Sequence, residues 1–335
     1  MTITVPFQRG MSYGYRALRG DYAPEKVARD AAEMASWGID SVALHVHVAQ
    51  ETFASTRVFA DFTVTPSDEE ITGAIEEFRR NGIRVMLKPM IESQDSAWQG
   101  SIRFPEDGNE QIAGVRTGYW QRWFDSFTSC LAHYATLAQR AGAEVFCVGC
   151  ELVGTMDQSE LWTRAIGAVR ERFDGVITYN TDHSALDAPR DWFIHLDALS
   201  ISYYVSVATR PGATVDEMTA HLAPHADELE RQAERLGMPV FFGEIGARSR
   251  AGTATLPWDY QTPAPYSGSE QADYLTAILQ TFWSRPWWRG LYWWKWEERQ
   301  RRPQYLDDPA GDKGFTLAGK PGQQVMTTWY SRTDR

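Results

Sequence analysis

Hydrophobic and polar positions along the chain follow two alternating patterns. Short runs rich in β-branched and aromatic residues are separated by longer stretches in which apolar residues recur every three or four positions, the spacing of an amphipathic helix. The short runs predict eight strands, at Gly10–Gly14, Ser41–Val48, Arg84–Met90, Glu144–Glu151, Gly175–Asn180, Asp197–Tyr204, Pro239–Glu244 and Gly290–Trp296. The longer stretches predict helices at Pro24–Trp37, Ser67–Asn81, Gly118–Ala141, Gln158–Phe173, Val215–Leu236, Ser269–Trp283 and Lys320–Tyr330.

The order of these elements is that of a repeated β-α unit. Eight such units with no change in composition are typical of a closed (β/α)8 barrel, whereas a doubly wound sheet usually has fewer strands and a glycine-rich first turn. We therefore predict an α/β fold, a single (β/α)8 TIM barrel, in which residues 1–335 form one catalytic domain. No GxGxxG or Walker-type loop occurs in the sequence, so nothing indicates a nucleotide cofactor.

Composition and charge exclude several classes of protein. Hydrophobic residues make up 43% and charged residues 23% of the 335 positions, which is the balance of a globular protein with a sizeable core. The net charge of −11 would repel a polyanion, so we expect no nucleic-acid partner. No apolar run of about 18 residues occurs, so we expect no membrane partner. Three cysteines are too few for a disulfide framework, and we expect a cytoplasmic protein.

Two glutamates come at the ends of hydrophobic strands. Glu151 ends the fourth predicted strand and Glu244 ends the seventh, so both should face one mouth of the barrel, where the catalytic groups of this fold lie. Strand alternation puts Cys147 and Glu151 on one face and Cys150 on the other, which predicts no redox or metal role for the two cysteines. A pair of carboxyl groups across a cleft is what hydrolysis of a glycosidic bond requires.

Tryptophans near the end of the chain strengthen the prediction of a carbohydrate substrate. Six fall between Trp283 and Trp296, and alternation puts Trp294 and Trp296 on one face of the eighth strand. Aromatic planes stack on the apolar faces of sugar rings, so tryptophans at a barrel mouth suit a carbohydrate. We expect Trp283, Trp287 and Trp288 to pack in the outer helix layer instead.

Several motifs, taken in order, resemble glycoside hydrolase family 113, a family of retaining β-mannanases and related β-mannosidases. The resemblance spans nearly the whole chain and includes Gln271. Its motifs are VMLKP at 85–89, WQGSI at 98–102, FCVGCEL at 146–152 with Trp162 after it, ITYNTD at 177–182, DALSISYY at 197–204, FFGEIGARS at 241–249, PW at 257–258 and LYWWKW at 291–296.

The resemblance implies a role for each matching residue. Glu151 would be the acid/base and Glu244 the nucleophile, with a tyrosine of the sixth strand hydrogen-bonded to the nucleophile. Strand parity favours Tyr204 for that contact, and a bulge at the strand end would bring Tyr203 there instead. The expected substrate-binding residues are Tyr13, His45, His47, Lys88, Trp98, Asn180, Asp182, Tyr203, Tyr204, Trp258, Trp294 and Trp296.

Some positions depart from the family's pattern. Cys150 stands where the wider clan usually has Asn and this family usually Thr, and Met90 and Ser202 stand where polar site residues are expected. His45 and His47 replace the more usual aromatic and hydroxyl residues of the second strand. These changes fall in the substrate-binding shell, so they bear on which sugar is bound and leave the reaction class unchanged.

Two other functions compete with a glycosidase. His45-x-His47 on one strand resembles the start of the metal site of metal-dependent amidohydrolases, with Lys88, His183 and His195 as further candidates. That superfamily places the pair on the first strand and an Asp at the end of the eighth, and neither feature is found here. A non-catalytic sugar-binding barrel would keep the aromatics but lose one glutamate. We therefore expect an enzyme without metal or other cofactor.

Overall fold

The computed structural model describes residues 4–104, 109–112, 115–185, 190–296, 305 and 307–335. Eight parallel strands close into a barrel in the order β1-β10-β9-β8-β7-β6-β3-β2, and an antiparallel pair, β4 and β5, lies in the connection after β3. The strands are β1 Gln8–Tyr13, β2 Ser41–Gln50, β3 Arg84–Ser93, β4 Asn109–Ile112, β5 Val115–Gly118, β6 Val145–Cys150, β7 Val176–Asp182, β8 Ala198–Ser202, β9 Val240–Ile245 and β10 Trp288–Trp293. The predicted (β/α)8 barrel is confirmed.

Helices surround the barrel at the predicted places. They are α1 Pro24–Ser36, α2 Asp68–Arg80, α3 Tyr119–Ala141, α4 Ser159–Arg170, α5 Val215–Leu236, α6 Gly268–Phe282 and α7 Pro321–Tyr330. Two of them begin at a capping box, in which Ser67 pairs with Glu70 and Thr214 with Glu217, so each side chain satisfies a backbone N–H of the first turn. No helix in the described part of the chain is long and apolar enough to cross a membrane.

The hydrophobic residues form two cores. A small one fills the barrel interior below the mouth and consists of Val5, Ala43, Met86, Val145, Cys147, Val176, Ala198, Phe241 and Tyr292. A larger one lies between the strands and the helices, and it contains the buried rings of Trp283 and Trp288 with Trp287 packed against it, as predicted. Because the lower interior is filled by side chains, polar inward-facing residues collect at the carboxyl ends of the strands.

Candidate active site

Glu151 lies at the carboxyl end of β6 in a conformation that few residues other than glycine adopt. Its φ is +53°, and its backbone N–H donates to the Asn180 carbonyl at 2.8 Å. The register between β6 and β7 shifts between Cys147 and Cys150, which is a bulge at the strand end. Non-glycine residues held in this region are strained, and they concentrate at functional sites.

The bulge changes which way Cys150 faces. Its Sγ lies 3.3 Å from the Glu244 Oε1, inside the mouth, and Gly149 instead faces the outer core, where an added Cβ would lie 3.0 Å from Trp162. The prediction that Cys150 and Glu151 point to opposite faces is therefore wrong, because strict alternation ends at the bulge. Cys147 lies in the barrel interior, and both cysteines are free thiols.

The carboxyl group of Glu151 is poorly solvated but has several hydrogen-bond donors. Trp98 Nε1 donates to Oε2 at 3.0 Å and Gln99 Nε2 donates to the same oxygen at 3.2 Å, and the Ser202 hydroxyl lies close enough to lower the pKa of this carboxyl. Burial, and after it the charge of Glu244, raises the pKa of Glu151 to about 7, against the opposing effect of these donors. A substantial fraction of Glu151 therefore carries its proton at neutral pH.

Glu244 has the opposite environment. It is buried on β9, and the ammonium group of Lys88, which is wholly buried on β3, contacts its Oε1 directly. Burial disfavours the charged form of Lys88, but the acidic groups of Cys150 and Glu244 outweigh burial and raise its pKa. A fixed positive charge thus lies against Glu244, and no described residue places one against Glu151, so one carboxyl can donate a proton while the other serves as a nucleophile.

The two tyrosines after β8 face different surroundings. Tyr203 packs in the outer core, with its ring 4.2 Å from that of Phe242 and nearly parallel to it. Tyr204 is half-buried with its hydroxyl near both glutamates: burial raises its pKa, and the charges of Glu244 and Glu151 raise it further. Parity therefore places Tyr204 at the site. Tyr203 does not reach the mouth, because the alternation of β8 continues past its last residue.

Tyr13 is also outside the mouth. Its hydroxyl donates to Asp30 Oδ2 at 3.0 Å and its ring stacks on Tyr22, so it lies between β1 and the helices. The chain then turns at Gly14, whose φ of +84° suits glycine, and brings Tyr15 over the mouth. The Tyr15 ring lies 4.6 Å from that of Trp294. In the sequence, the glycine directly after the first strand indicates a turn there, and this turn could have predicted that Tyr15 lies at the mouth.

Trp294 and Trp296 do not share a face. Trp294 contacts His45 and Tyr15 in the mouth, with ring centroids 5.5 and 4.6 Å away. Trp296 packs against Trp37 at 5.1 Å on the outer side of the barrel. Strand β10 ends at Trp293, so the alternation expected for these two positions has no strand to follow.

The two histidines of β2 each contact other groups of the protein, although His45 Nε2 has no hydrogen-bond partner among the described residues. His45 is buried with its Nδ1 2.7 Å from Met90 Sδ, and burial, followed by the charge of Lys88, lowers its pKa. His47 Nε2 accepts the Arg16 backbone N–H at 2.8 Å, and its Nδ1 lies 3.0 Å from Glu92. Among the described residues, no three His, Cys, Asp or Glu side chains form a group that could hold a metal.

The remaining predicted residues lie at different depths. Asn180 is wholly buried and donates to Ser202 and Cys150, beneath the glutamates. Asp182 lies close enough to Glu151 for its charge to raise the pKa of that carboxyl. Trp98 and Trp258 are each 47% exposed, the first at Glu151 and the second on the loop after β9.

The loop that carries Trp258 is held in place by buried charges. Arg250 donates to Asp259 Oδ2 at 2.8 Å, and the Glu270 carboxylate accepts the backbone N–H of Gly252 at 3.0 Å. These contacts fix the segment between β9 and α6, so the exposed Trp258 ring is presented from a rigid support.

Comparison with known proteins places this arrangement in one family. A model of glycoside hydrolase family 113 matches residues 11–320. The GH113 β-mannanase AaManA from Alicyclobacillus acidocaldarius, solved in complex with ManMIm, is 29% identical, with a TM-score of 0.86 and 99% of each chain covered. A GH113 β-1,4-mannanase solved as a complex is 27% identical, with a TM-score of 0.84, and the match covers 98% of this chain and 100% of that one.

More distant structures share the fold alone. A GH2 β-galacturonidase from Eisenbergiella tayi bound to galacturonate is 14% identical, with a TM-score of 0.57, and this chain spans 51% of its length. A search of curated proteins gave no match. The family match, by contrast, covers most of the chain, including both strand-end glutamates, and confirms the resemblance seen in the motifs. The chain therefore belongs to glycoside hydrolase family 113 and is a glycoside hydrolase.

Proposed function

We propose that the protein is a retaining hydrolase of β-mannosides or related short β-linked oligosaccharides, with residues 1–335 acting as a single catalytic domain. The similar family 113 structures are β-mannanases, which supports a β-mannoside as the substrate. The observation that carries the mechanism is the contrast between the two glutamates. The pKa of Glu151 is raised to about 7, and Glu244 lies against the Lys88 ammonium.

In the first step the substrate binds with its scissile bond between the two carboxyl groups. The Glu244 carboxylate attacks the anomeric carbon while Glu151 transfers its proton to the glycosidic oxygen. The carbon–oxygen bond to the leaving group breaks, and an ester bond to Glu244 forms. Positive charge develops on the sugar as this happens, and the Glu244 carboxylate stabilises it from the opposite side of the ring.

In the second step the roles of Glu151 reverse. The departing sugar takes one proton, so Glu151 is left as a carboxylate beside an esterified, neutral Glu244. Loss of the Glu244 charge removes the second cause of the raised pKa of Glu151. Glu151 then takes a proton from an incoming water, whose oxygen attacks the anomeric carbon and releases Glu244. Two displacements at one carbon restore its configuration.

Hydrolysis of a panel of aryl β-glycosides tests the reaction and the sugar together. We expect 4-nitrophenyl β-mannoside to be cleaved faster than the β-glucoside, β-galactoside and β-xyloside, and mannooligosaccharides faster than soluble mannan. A Glu151→Ala, Glu244→Ala double variant is the matched control for contaminating activity. Faster hydrolysis of the β-glucoside would overturn the proposal that the substrate is a β-mannoside. Binding without hydrolysis of any glycoside in the panel would indicate a sugar-binding barrel. Chelator-sensitive amide hydrolysis would favour the metal-dependent alternative.

A matched pair of tyrosine variants tests the position of Tyr204. The Tyr204 hydroxyl faces the charges of Glu244 and Glu151, and we propose that it hydrogen-bonds the nucleophile in the substrate complex. Tyr204→Phe should therefore lower kcat/KM by about 10- to 100-fold, since a hydrogen bond to a charged group contributes about 1.5–3 kcal/mol. Tyr203→Phe should change kcat/KM by less than about twofold, because its hydroxyl has no hydrogen-bond partner among the described residues. The two variants lose the same atom one residue apart. Equal losses of activity, measured on the same aryl glycoside, would contradict the assignment.

A further inference from the structure

The edge of the mouth opposite Glu151 is lined by two aromatic rings and a cation. Strand β10 lies opposite β6, which precedes Glu151, since three strands separate β10 from β6 in either direction around the closed barrel. Just after β10, the ring of Trp294 lies 4.6 Å from the ring of Tyr15, which follows β1. Lys295 Nζ lies 5.0 Å from the centre of the same tyrosine ring.

The row of contacts continues along β2 and β3. The backbone N–H of Arg16 donates to His47 Nε2 at 2.8 Å, and the guanidinium Nε of Arg16 lies 3.0 Å from Glu92 Oε1. His47 Nδ1 lies 3.0 Å from the other oxygen of Glu92. We call this row, which runs over the ends of β10, β1, β2 and β3, the Tyr15 wall. It consists of Tyr15, Arg16, His47, Glu92, Trp294 and Lys295.

The two catalytic carboxyl groups fix which part of the substrate faces the Tyr15 wall. Glu151 must reach the glycosidic oxygen, so the leaving group lies on the side of β6. The half-exposed ring of Trp98, which donates to Glu151 at 3.0 Å, lies on that side. The sugar that Glu244 attacks lies on the other side of the bond, towards β10 and β1. The Tyr15 wall therefore stands at the non-reducing end of the bound substrate.

The inner face of the Tyr15 wall has the shape of a corner. The rings of Tyr15 and Trp294 are inclined at 62°, and aromatic planes of this kind pack on the apolar faces of a sugar ring. Lys295 at 5.0 Å and the Arg16 guanidinium at 5.4 Å both lie over the Tyr15 ring, and these cation–π contacts help to hold it in place. A second sugar beyond the first would have to displace these contacts.

We propose that the Tyr15 wall closes the cleft behind a single sugar, so that the enzyme removes one β-mannosyl unit at a time from the non-reducing end of a short oligosaccharide. This inference rests on the proposed function and goes beyond it, because it assigns the bond of the substrate that is cleaved. Tyr15 and Arg16 belong to none of the motifs that carry the family resemblance, so the wall follows from the contacts of this chain.

The first products from β-1,4-mannohexaose test the inference in the wild-type enzyme. The substrate carries a fluorescent label at its reducing end, and the labelled products are separated by chromatography early in the reaction. Removal of terminal units predicts labelled mannopentaose first and labelled mannotetraose after it, with free mannose as the only unlabelled product. Labelled mono-, di- or trisaccharides among the first products would mean internal cleavage and would overturn the inference.

A double variant, Tyr15→Ala with Arg16→Gly, opens the Tyr15 wall. Arg16 has a φ of +58°, which glycine adopts without strain, so the second change suits the backbone. The wild type should leave intact a mannohexaose that carries a benzyl ether on O4 of its terminal mannose. The double variant should cleave it internally and raise the ratio of kcat/KM for the capped and uncapped substrates by at least about 10-fold. An unchanged ratio would contradict the inference.

Phe62→Ala is the matched control for this ratio. Phe62 is an aromatic residue in the connection between β2 and α2, it is 79% exposed, and it is not part of the Tyr15 wall. Its removal should leave the ratio for the capped and uncapped substrates as in the wild type. The ratio compares two substrates of one enzyme, so a general loss of activity in any variant does not affect it.

Titration calorimetry tests the Tyr15 wall without catalysis. In a Glu244→Gln background, mannotriose should bind at least about 10-fold more tightly than mannotriose capped on its terminal O4, and opening the wall should reduce this difference. If the wild type hydrolyses no β-glycoside, the proposed function fails, while this titration still tests the wall. Equal affinities for the two trisaccharides, or no binding of either, would overturn the inference.

Discussion

Glu244→Ala should abolish hydrolysis of natural and activated substrates alike, because no second carboxylate among the described residues lies against the Lys88 ammonium to attack the anomeric carbon. The loss should amount to several orders of magnitude in kcat on 4-nitrophenyl β-mannoside. Added azide should restore turnover of that substrate and give an α-mannosyl azide, since the small anion fits the space left by the carboxylate and attacks once from the same side.

A matched variant controls for loss of the buried ion pair. Lys88 is buried and loses its partner in Glu244→Ala, so part of any defect could come from a destabilised fold. Glu244→Gln keeps the volume and still lacks a nucleophile, so it should be as inactive while binding mannooligosaccharides. Residual activity of Glu244→Ala above that of Glu151→Ala on an activated substrate would contradict the assignment of the nucleophile.

Glu151→Ala should slow turnover according to the leaving group. Substrates with poor leaving groups need the proton, so their kcat should fall on the order of 10²–10⁴-fold, the usual contribution of general acid catalysis. Activated aryl glycosides should keep a fast first step and release a burst of phenol, because hydrolysis of the intermediate then lacks its base. Equal losses for good and poor leaving groups would remove Glu151 from the role of acid.

The pKa of Glu151 also sets the pH dependence. The acid must be protonated, and its pKa is raised to about 7, so wild-type kcat/KM should decline as pH rises through that value. Glu151→Ala should lose this alkaline limb on activated substrates. A wild-type profile that stays flat to pH 9 would contradict a protonated Glu151.

The same shift predicts a change in stability that needs no substrate. A carboxyl whose pKa rises from 4.5 unfolded to about 7 folded costs stability once it ionises, up to about 3 kcal/mol at alkaline pH. The protonated Glu151 carboxyl causes no loss of stability below pH 4.5, and the loss grows as pH rises through about 7. Glu151→Gln should therefore have a larger free energy of unfolding than the wild type at pH 8–9, and the gain should vanish near pH 4. Urea denaturation at both pH values measures it.

The sequence predicts the barrel well because the same β-α pattern is repeated along the chain. Each strand is a short β-rich run followed by a helical period, and eight repetitions correct local errors in the boundaries. The two glutamates could be predicted as candidates for the site because a carboxylate at the end of a hydrophobic strand contrasts with the apolar residues before it. Tyr204 followed from simple alternation, because β8 continues without a bulge to its end.

The failures are all at strand ends, where alternation stops. A bulge before Glu151 turned Cys150 inward, a turn at Gly14 brought Tyr15 rather than Tyr13 to the mouth, and β10 ended before Trp296. The pairing of Lys88 with Glu244 could not be read from spacing, because the two lie 156 residues apart and meet only across the closed barrel. Local sequence patterns therefore predict the strands and helices, while the arrangement of the site depends on bulges and turns at the strand ends.

The configuration of the first sugar released tests the central claim most directly. ¹H NMR of 4-nitrophenyl β-mannoside hydrolysis, followed from the first minute before mutarotation, reports the anomer as it forms. Two displacements through Glu244 predict β-mannose first, with the α-anomer growing later at the rate of mutarotation. α-Mannose as the first product would mean a single displacement by water, and it would contradict a covalent intermediate on Glu244.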